Sequence, residues 1–326
     1  MLPRFDRTQA RPERRLVRLE GRVFIEQHLQ DLRAGRFAPR AILLYVRRVA
    51  QRVREDFDAD PAAVRSVWSV ALMFFAAAFV AAVAMAIVSD RHLAYDFFLH
   101  TALWILPSFA LVTLHVGLLR DRDGYRLSSL NVPIVLTLSR IVLAPGIILF
   151  LLDRHFGLAF AAFLVAEVTD VADGWIARRT HQITRFGTVL DHVVDIVFHV
   201  TIFAGLSLSG MLAPWVFWVA ALRYGILLVG GACLYIFVGP VRIQPTLFGR
   251  LAGVVMAALV AFLALLHALN GSYFERLAPL TEIALGVLLS ATVAQVIALG
   301  WYNLRVMRGQ AAASGRVVGD VRWGAR

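Results

Sequence analysis

Runs of about 20 residues or more pass almost without charge along most of this chain, the length a helix needs to cross a hydrocarbon core of roughly 30 Å. In hydrocarbon each backbone amide must find its partner inside the protein, so such runs fold as helices. The fold class that follows is all-α, a polytopic membrane helix bundle. Eight candidate spans lie near 65–88, 94–119, 131–152, 157–178, 188–209, 214–238, 250–269 and 280–304. Of the 326 residues 59% are hydrophobic and only 17% charged, where a soluble domain with one core carries more charge. Pro107 and Pro145 fall inside spans, which neighbouring helices tolerate by satisfying the freed backbone groups. The single Cys233 lies in an apolar run and leaves no cysteine pair for a disulfide or a thiolate metal site.

The charge is as informative as the hydropathy. The formal net charge is +11 and every basic residue is Arg. Most of these residues sit between spans and in the tails, which excludes a nucleic-acid partner and is the placement the positive-inside rule predicts. The region before residue 65, the links Arg120–Arg126, Arg178–Arg185 and Arg242–Arg250, and the tail Arg305–Arg326 all carry Arg. The alternate links, near 89–93, 153–156, 210–213 and 270–279, are short or nearly balanced. Both termini are therefore expected in the cytoplasm, with the chain threaded through a bacterial inner membrane. Residues 1–63 are Arg-rich and too charged and too long before the first apolar run for a secretory signal peptide. Within them Ile42, Val46, Val49, Ala50, Val53 and Phe57 recur at helical spacing, opposite Arg47, Arg48, Arg52 and Arg54. Such a helix either lies on an anionic leaflet or simply precedes the first span as a solvated helix.

Chemistry enters at the fourth and fifth spans. Asp170-Val171-Ala172-Asp173-Gly174-Trp175-Ile176-Ala177-Arg178 ends the fourth, and Gly187 followed by Asp191 and Asp195 opens the fifth. At about 100° per residue, Asp170, Asp173, Gly174 and Ala177 share one helical face, and Gly187, Asp191 and Asp195 share an arc of the next helix. A short link makes the two helices antiparallel neighbours whose acidic faces can meet. Four converging carboxylates at membrane depth repel unless cations neutralise them, and hard oxygen donors select Mg2+, Mn2+ or Ca2+. Two such ions can clamp a phosphate diester. Gly174, Ala177 and Gly187 leave room for a phosphate or a flat base, and Arg178 offers a fork of donors to phosphate oxygens. Helix-end aspartates facing water would account for any one of these residues. They do not account for four at this spacing with small residues between.

The pattern Asp-x2-Asp-Gly-x2-Ala-Arg-x8-Gly-x3-Asp-x3-Asp resembles, at every defined position, the signature of the CDP-alcohol phosphatidyltransferase family. Upstream, Asn131-x-Pro133-x3-Thr137-x2-Arg140-x4-Pro145 is similar to the opening of that family's first core helix. Downstream, Pro245-Thr246-x2-Gly249-Arg250 is similar to a Pro-Ser/Thr-x2-Gly-Lys element. The resemblance covers about 130–305, giving an Arg-rich region 1–63, two extra transmembrane helices in 64–120, a six-helix catalytic domain in 121–305 and a basic tail 306–326. It implies Asp170, Asp173, Asp191 and Asp195 around Mg2+ or Mn2+, two ions, with Asp195 the general base on the acceptor hydroxyl. It implies Gly174, Ala177, Arg178, Gly187, Asn131 and Thr137 around the CDP moiety, CDP-diacylglycerol and a small alcohol as substrates, release of CMP, and a homodimer. Any fused N-terminal nucleotidyltransferase domain, as some relatives have, would need a longer and less apolar extension.

Departures from the family pattern bear on the acceptor. Relatives making phosphatidylglycerol phosphate often read Leu-Asp-Pro-x-Ala-Asp-Lys where this chain has Leu190-Asp191-His192-Val193-Val194-Asp195-Ile196. The Asp-His pair is more like the aminoalcohol phosphotransferase branch, and Ile134 replaces a second Asn common after Pro133. Two other readings therefore stand beside phosphatidyl transfer: a CDP-aminoalcohol phosphotransferase acting on diacylglycerol, and a transporter or scaffold with a divalent-cation site. A transporter would more often spread its carboxylates at the midplane of broken helices. Arg223, near the middle of the sixth span, reads as an anion site for the acceptor, with pairing to Glu167 as the alternative. Arg250 is a second acceptor candidate. His192 and His199 read as packing residues, although His192 borders the metal cluster and could bear on the acceptor; Trp215, Trp218, Trp301 and Tyr302 read as interfacial anchors.

Overall fold

The computed structural model describes residues 31–32, 36–88, 90–121, 124–237, 246–269 and 274–320. The succession of helices is α1 (Pro39–Ala59), α2 (Pro61–Val88), α3 (Arg91–Leu114), α4 (Val132–Leu152), α5 (Phe156–Arg179), α6 (Arg185–Leu208), α7 (Pro214–Phe237), α8 (Leu247–Leu269) and α9 (Phe274–Asp320). There is no strand among the described residues. Seven of the helices, all but α1 and α5, are long and apolar enough to cross a membrane. The chain is an integral, multi-pass membrane protein.

The eighth expected span, α5, has the length, 24 residues or about 36 Å. It lacks the apolarity, because Glu167, Asp170, Asp173, Arg178 and Arg179 crowd its second half. The residues that suggested chemistry are the ones that lower its hydropathy. A second difference concerns the C-terminal tail, which continues α9 as helix to Asp320. At 47 residues, or about 70 Å, α9 outruns any hydrocarbon core.

Two compact units are distinguishable, one built from residues up to Leu149 with Val165–Phe198, the other from Phe150–Leu164 with residues from His199 onward. In the first, small residues of α2 (Ala63, Val67, Ala71) and the larger Ile105, Phe109 and Val112 of α3 form one buried core with Ile134, Leu138 and Val142 of α4. Ser66 accepts a hydrogen bond from the Leu130 amide at 3.0 Å, tying α2 to the approach to α4. Higher up, Phe97 of α3 lies over Gly146 of α4, so close that a Cβ there would stand 2.6 Å from its ring.

The expected amphipathic helix is α1. Phe57, at its C-terminal end, packs against the core of α2, α3 and α4, while Ile42, Val46 and Val49 are exposed. Asp56 pins that end: Arg126 donates to its carboxylate at 2.7 Å, and the carboxylate rests on Gly117, which has no side chain to obstruct it.

In the second unit, α9 packs against both α7 and α8. The Trp215 ring of α7 closes on Gly286 of α9, and Glu282 of α9 accepts from the Ala213 amide at 3.2 Å, capping α7 from outside. Thr246 caps α8 through the Gly249 amide at 3.1 Å and is itself bonded by Gln295 of α9. Gly210, at φ +79, lets the chain leave α6, with the Met211 amide bonding back to the Leu206 carbonyl at 2.9 Å.

The Phe97–Gly146 contact is testable. Gly146→Val should overpack the site and destabilise the protein by about 1–3 kcal/mol. Phe97→Ala in the same chain should restore part of the loss, as read from melting curves of the detergent-solubilised protein. Melting temperatures that simply add would show that the two positions do not touch.

Candidate active site

The site is assembled by three helices of the first unit: α4, the second half of α5 and the first half of α6. At its centre is a residue that the sequence reading had placed only within a motif. Arg140, on α4, is 2% exposed and forms ion pairs with all four aspartates. Its Nη1 faces Asp170 of α5 and Asp195 of α6. Its Nη2 lies 3.3 Å from Asp173 of α5 and 2.7 Å from Asp191 of α6. The expected meeting of the two acidic faces is thus present, and a guanidinium bridges it. The signal that could have found Arg140 is its position: a lone charge inside an apolar span requires a buried partner.

Thr137, one turn before Arg140, holds Asp173 through its hydroxyl at 2.7 Å. Asp173 is the most enclosed of the four, at 8% side-chain exposure, against 41% for Asp170, 37% for Asp191 and 40% for Asp195. One wall of the cluster is therefore fixed inside the protein and three carboxylates keep an open side. Asp170, Asp173 and Asp191 each present one oxygen to a common region, all within 4.8 Å of one another. Such an all-carboxylate, hard-oxygen set fits Mg2+ or Mn2+. Asp195 stands outside that trio among the described residues.

Local features explain how the carboxylates are held in register. Thr184 caps α6, its hydroxyl accepting from the Gly187 amide at 2.9 Å. A Cβ at Gly187 would stand 2.9 Å from that hydroxyl and 3.4 Å from Ile134, so Gly187 is where α6 closes on α4. Asn131 caps α4 by accepting from the Ile134 amide at 3.2 Å and donates to the Gln182 carbonyl at 2.9 Å. Asn131, expected at the CDP moiety, also joins the α5–α6 link to α4. Thr137, expected there too, holds Asp173.

Gly174 and Ala177 lie on α5 with the aspartates, and the exposed Arg178 folds its guanidinium back over Gly174, where a Cβ would stand 3.1 Å from Nη1. His192 is exposed beside Asp191 and bonds the Thr188 carbonyl at 2.8 Å, so it is no core packing residue. His199 does pack, stacked on Tyr224 at 5.7 Å. Arg223 and Arg250 belong to the second unit. Arg223 lies over the Tyr224 ring at 4.6 Å, and its Nε and Nη1 are buried without a hydrogen-bond partner. Arg250 is exposed in the first turn of α8.

Residues 130–312 match the family model described as CDP-alcohol phosphatidyltransferase, more than half of the chain. Over 158 residues the chain is 28% identical to the CDP-diacylglycerol–glycerol-3-phosphate 3-phosphatidyltransferase of Aquifex aeolicus, covering 47% of this chain and 86% of that protein. It is 37% identical over 102 residues to a putative cardiolipin synthase of Mycobacterium tuberculosis, 31% of this chain and 48% of the relative. A third relative, the CDP-diacylglycerol–glycerol-3-phosphate 3-phosphatidyltransferase of Escherichia coli K12, is 47% identical over 68 residues, 20% of this chain and 37% of its own length. The match thus spans about half of the mycobacterial relative and little over a third of the Escherichia coli protein. No solved structure matches the chain.

The two hydrogen bonds of Asn131 give a direct test. Asn131→Ala should lower stability by about 1–2 kcal/mol, for one cap and one tie lost. Asn131→Asp keeps the cap acceptor, loses the donor to Gln182 and should recover part of the melting temperature. Two equally low melting points would assign the whole effect to the tie.

Proposed function

Because the chain belongs to the CDP-alcohol phosphatidyltransferase family, and so is a membrane-embedded transferase of phospholipid synthesis, we propose that it transfers the phosphatidyl group of CDP-diacylglycerol to the hydroxyl of a small polar alcohol and releases CMP. The observation that carries this reading is the convergence of Asp170, Asp173 and Asp191 on one region, with Asp195 beside them on the same guanidinium. That arrangement suits a diphosphate substrate held through divalent cations. The relatives named for glycerol-3-phosphate as acceptor and for cardiolipin synthesis support CDP-diacylglycerol as donor over a CDP-aminoalcohol.

Asp170, Asp173 and Asp191 would hold Mg2+ or Mn2+, two ions, with Asp195 able to contribute. Bound there, such ions supply charge neutralisation of the diphosphate and polarisation of the phosphorus under attack. The rest is work for the chain's own residues. Asp195 takes the proton of the acceptor hydroxyl as its oxygen bonds to the lipid-bearing phosphorus. The bond from that phosphorus to the bridging oxygen breaks, and CMP leaves with the electron pair. Gly174, Ala177 and Gly187 give CDP a surface without bulk, and the Arg178 fork, poised over Gly174, pairs with phosphate oxygens.

The acceptor is anionic in this reading, a glycerol phosphate or an inositol phosphate. The support is Arg223: two guanidinium nitrogens buried without partners are satisfied by an anion. Arg250 joins it on resemblance alone. Residues 121–305 form the catalytic domain in this account, preceded by two added helices in 64–120 and flanked by the Arg-rich region 1–63 and the basic tail 306–326. Arg in alternate connections supports a reading with both termini and the aspartates on the cytoplasmic side of a bacterial inner membrane. A homodimer rests on family membership.

Incubating the purified protein with CDP-diacylglycerol and a panel of alcohols, with lipid mass spectrometry as readout, tests the reaction. A phosphatidyl product and CMP that require a divalent cation are expected. Product only from CDP-choline or CDP-ethanolamine with diacylglycerol would replace the reading. Asp195→Asn should lower turnover by about 10²–10⁴-fold while Mn2+ binding persists; full turnover would remove the base assignment. Arg223→Ala should raise KM for an anionic acceptor and leave KM for CDP-diacylglycerol unmoved.

A further inference from the structure

We propose that Arg140 is the resident counter-cation of the metal-free aspartate cluster, and that metal loading displaces it from Asp170, Asp173 and Asp191 and leaves it as the positioning residue of Asp195. The inference rests on the metal reading above and deepens it. Arg140 is the one charged residue of α4 and is 2% exposed, so water does not solvate it. A cation at such depth persists only with partners, and carboxylates gathered there without a cation would push their helices apart. One guanidinium against four carboxylates holds the cluster together and still leaves more carboxylate oxygens than it can satisfy, so oxygens remain for a cation.

The geometry says which pairings are exchangeable. Asp170, Asp173 and Asp191 are the three whose oxygens converge within 4.8 Å, and all three are paired with Arg140. A divalent ion taking those oxygens meets the guanidinium as a like charge at close range, and the guanidinium gives way. Asp195 is outside the converging trio and remains available to Nη1. Two details make the exchange local. Arg140 Nε has no hydrogen-bond partner, so the guanidinium is held through its two Nη ends alone. Thr137 holds Asp173 independently of Arg140, so that ligand stays in place when its ion pair is lost. The cluster is thus built before metal arrives, and Arg140 sets how tightly metal binds.

The test compares wild type, Arg140→Gln and Arg140→Lys as full chains in detergent, purified with Mn2+ and then stripped. Mn2+ affinity is read from the free-ion electron paramagnetic resonance signal, and melting temperature is recorded with and without Mn2+. Arg140→Gln should melt several degrees lower without metal, bind Mn2+ about tenfold or more tighter, and regain wild-type stability when loaded. Arg140→Lys, a point charge without the fork, should fall between the two in both measurements. Unchanged or weaker Mn2+ binding in Arg140→Gln would overturn the proposal, since a purely structural arginine lowers both melting temperatures and leaves affinity alone. If Arg140→Gln does not fold even with Mn2+, Arg140→Lys decides by the same criteria. A wild type that binds no divalent ion defeats the metal reading itself, an outcome distinct from a wild type that binds Mn2+ with an affinity indifferent to residue 140.

Discussion

A single guanidinium among four carboxylates, on three helices of a membrane protein, is the contact around which the first unit is organised. Charges of either sign are costly at that depth, and the cost is met only by bringing them together. Each local device near the site serves that meeting. Thr184 starts α6 in register, Asn131 draws the α5–α6 link to α4, and Thr137 fixes the one carboxylate that is enclosed. Without these the same five charges would sit on helix surfaces, each solvated and none of them a site.

The helices ahead of the family-matched region have a physical place in this arrangement. α4 presents Ile134, Leu138 and Val142 to a core shared with α2 and α3, while Thr137 and Arg140 occupy its other side. Small residues on α2 allow close approach, and Phe97 of α3 fills the space that Gly146 leaves. The added pair therefore braces the helix that carries the central arginine. α5 shows the opposite balance, with so many charges that it no longer reads as a span by composition. Its first half is apolar, and its second half carries Asp170 and Asp173, which pair with Arg140.

Much of this was legible beforehand because the signals were local. Span length, Arg in alternate links, and two aspartates three and four residues apart on facing helices are properties of spacing alone. Gly174 with Arg178 on one turn was legible for the same reason. The bonds of Asn131 to Gln182 and of Thr137 to Asp173 were not legible, because they join positions 51 and 36 residues apart, which no local pattern specifies. Of the two readings of His192, packing and bordering the cluster, its exposure beside Asp191 favours the second, since burial on a membrane helix depends on which neighbours arrive.

By itself the sequence determined that the chain is a bundle of membrane helices with four carboxylates on two consecutive ones, because helical period and hydrocarbon thickness convert spacing directly into faces and spans. Only the tertiary structure decided what stands between those carboxylates. Arg140 lies at least 30 residues from the nearest of them along the chain and reaches all four because α4 packs against α5 and α6 at that level. Which charge neutralises which is a matter of distance in space, and in a medium that screens so little, that choice makes the difference between a row of acidic residues and a site.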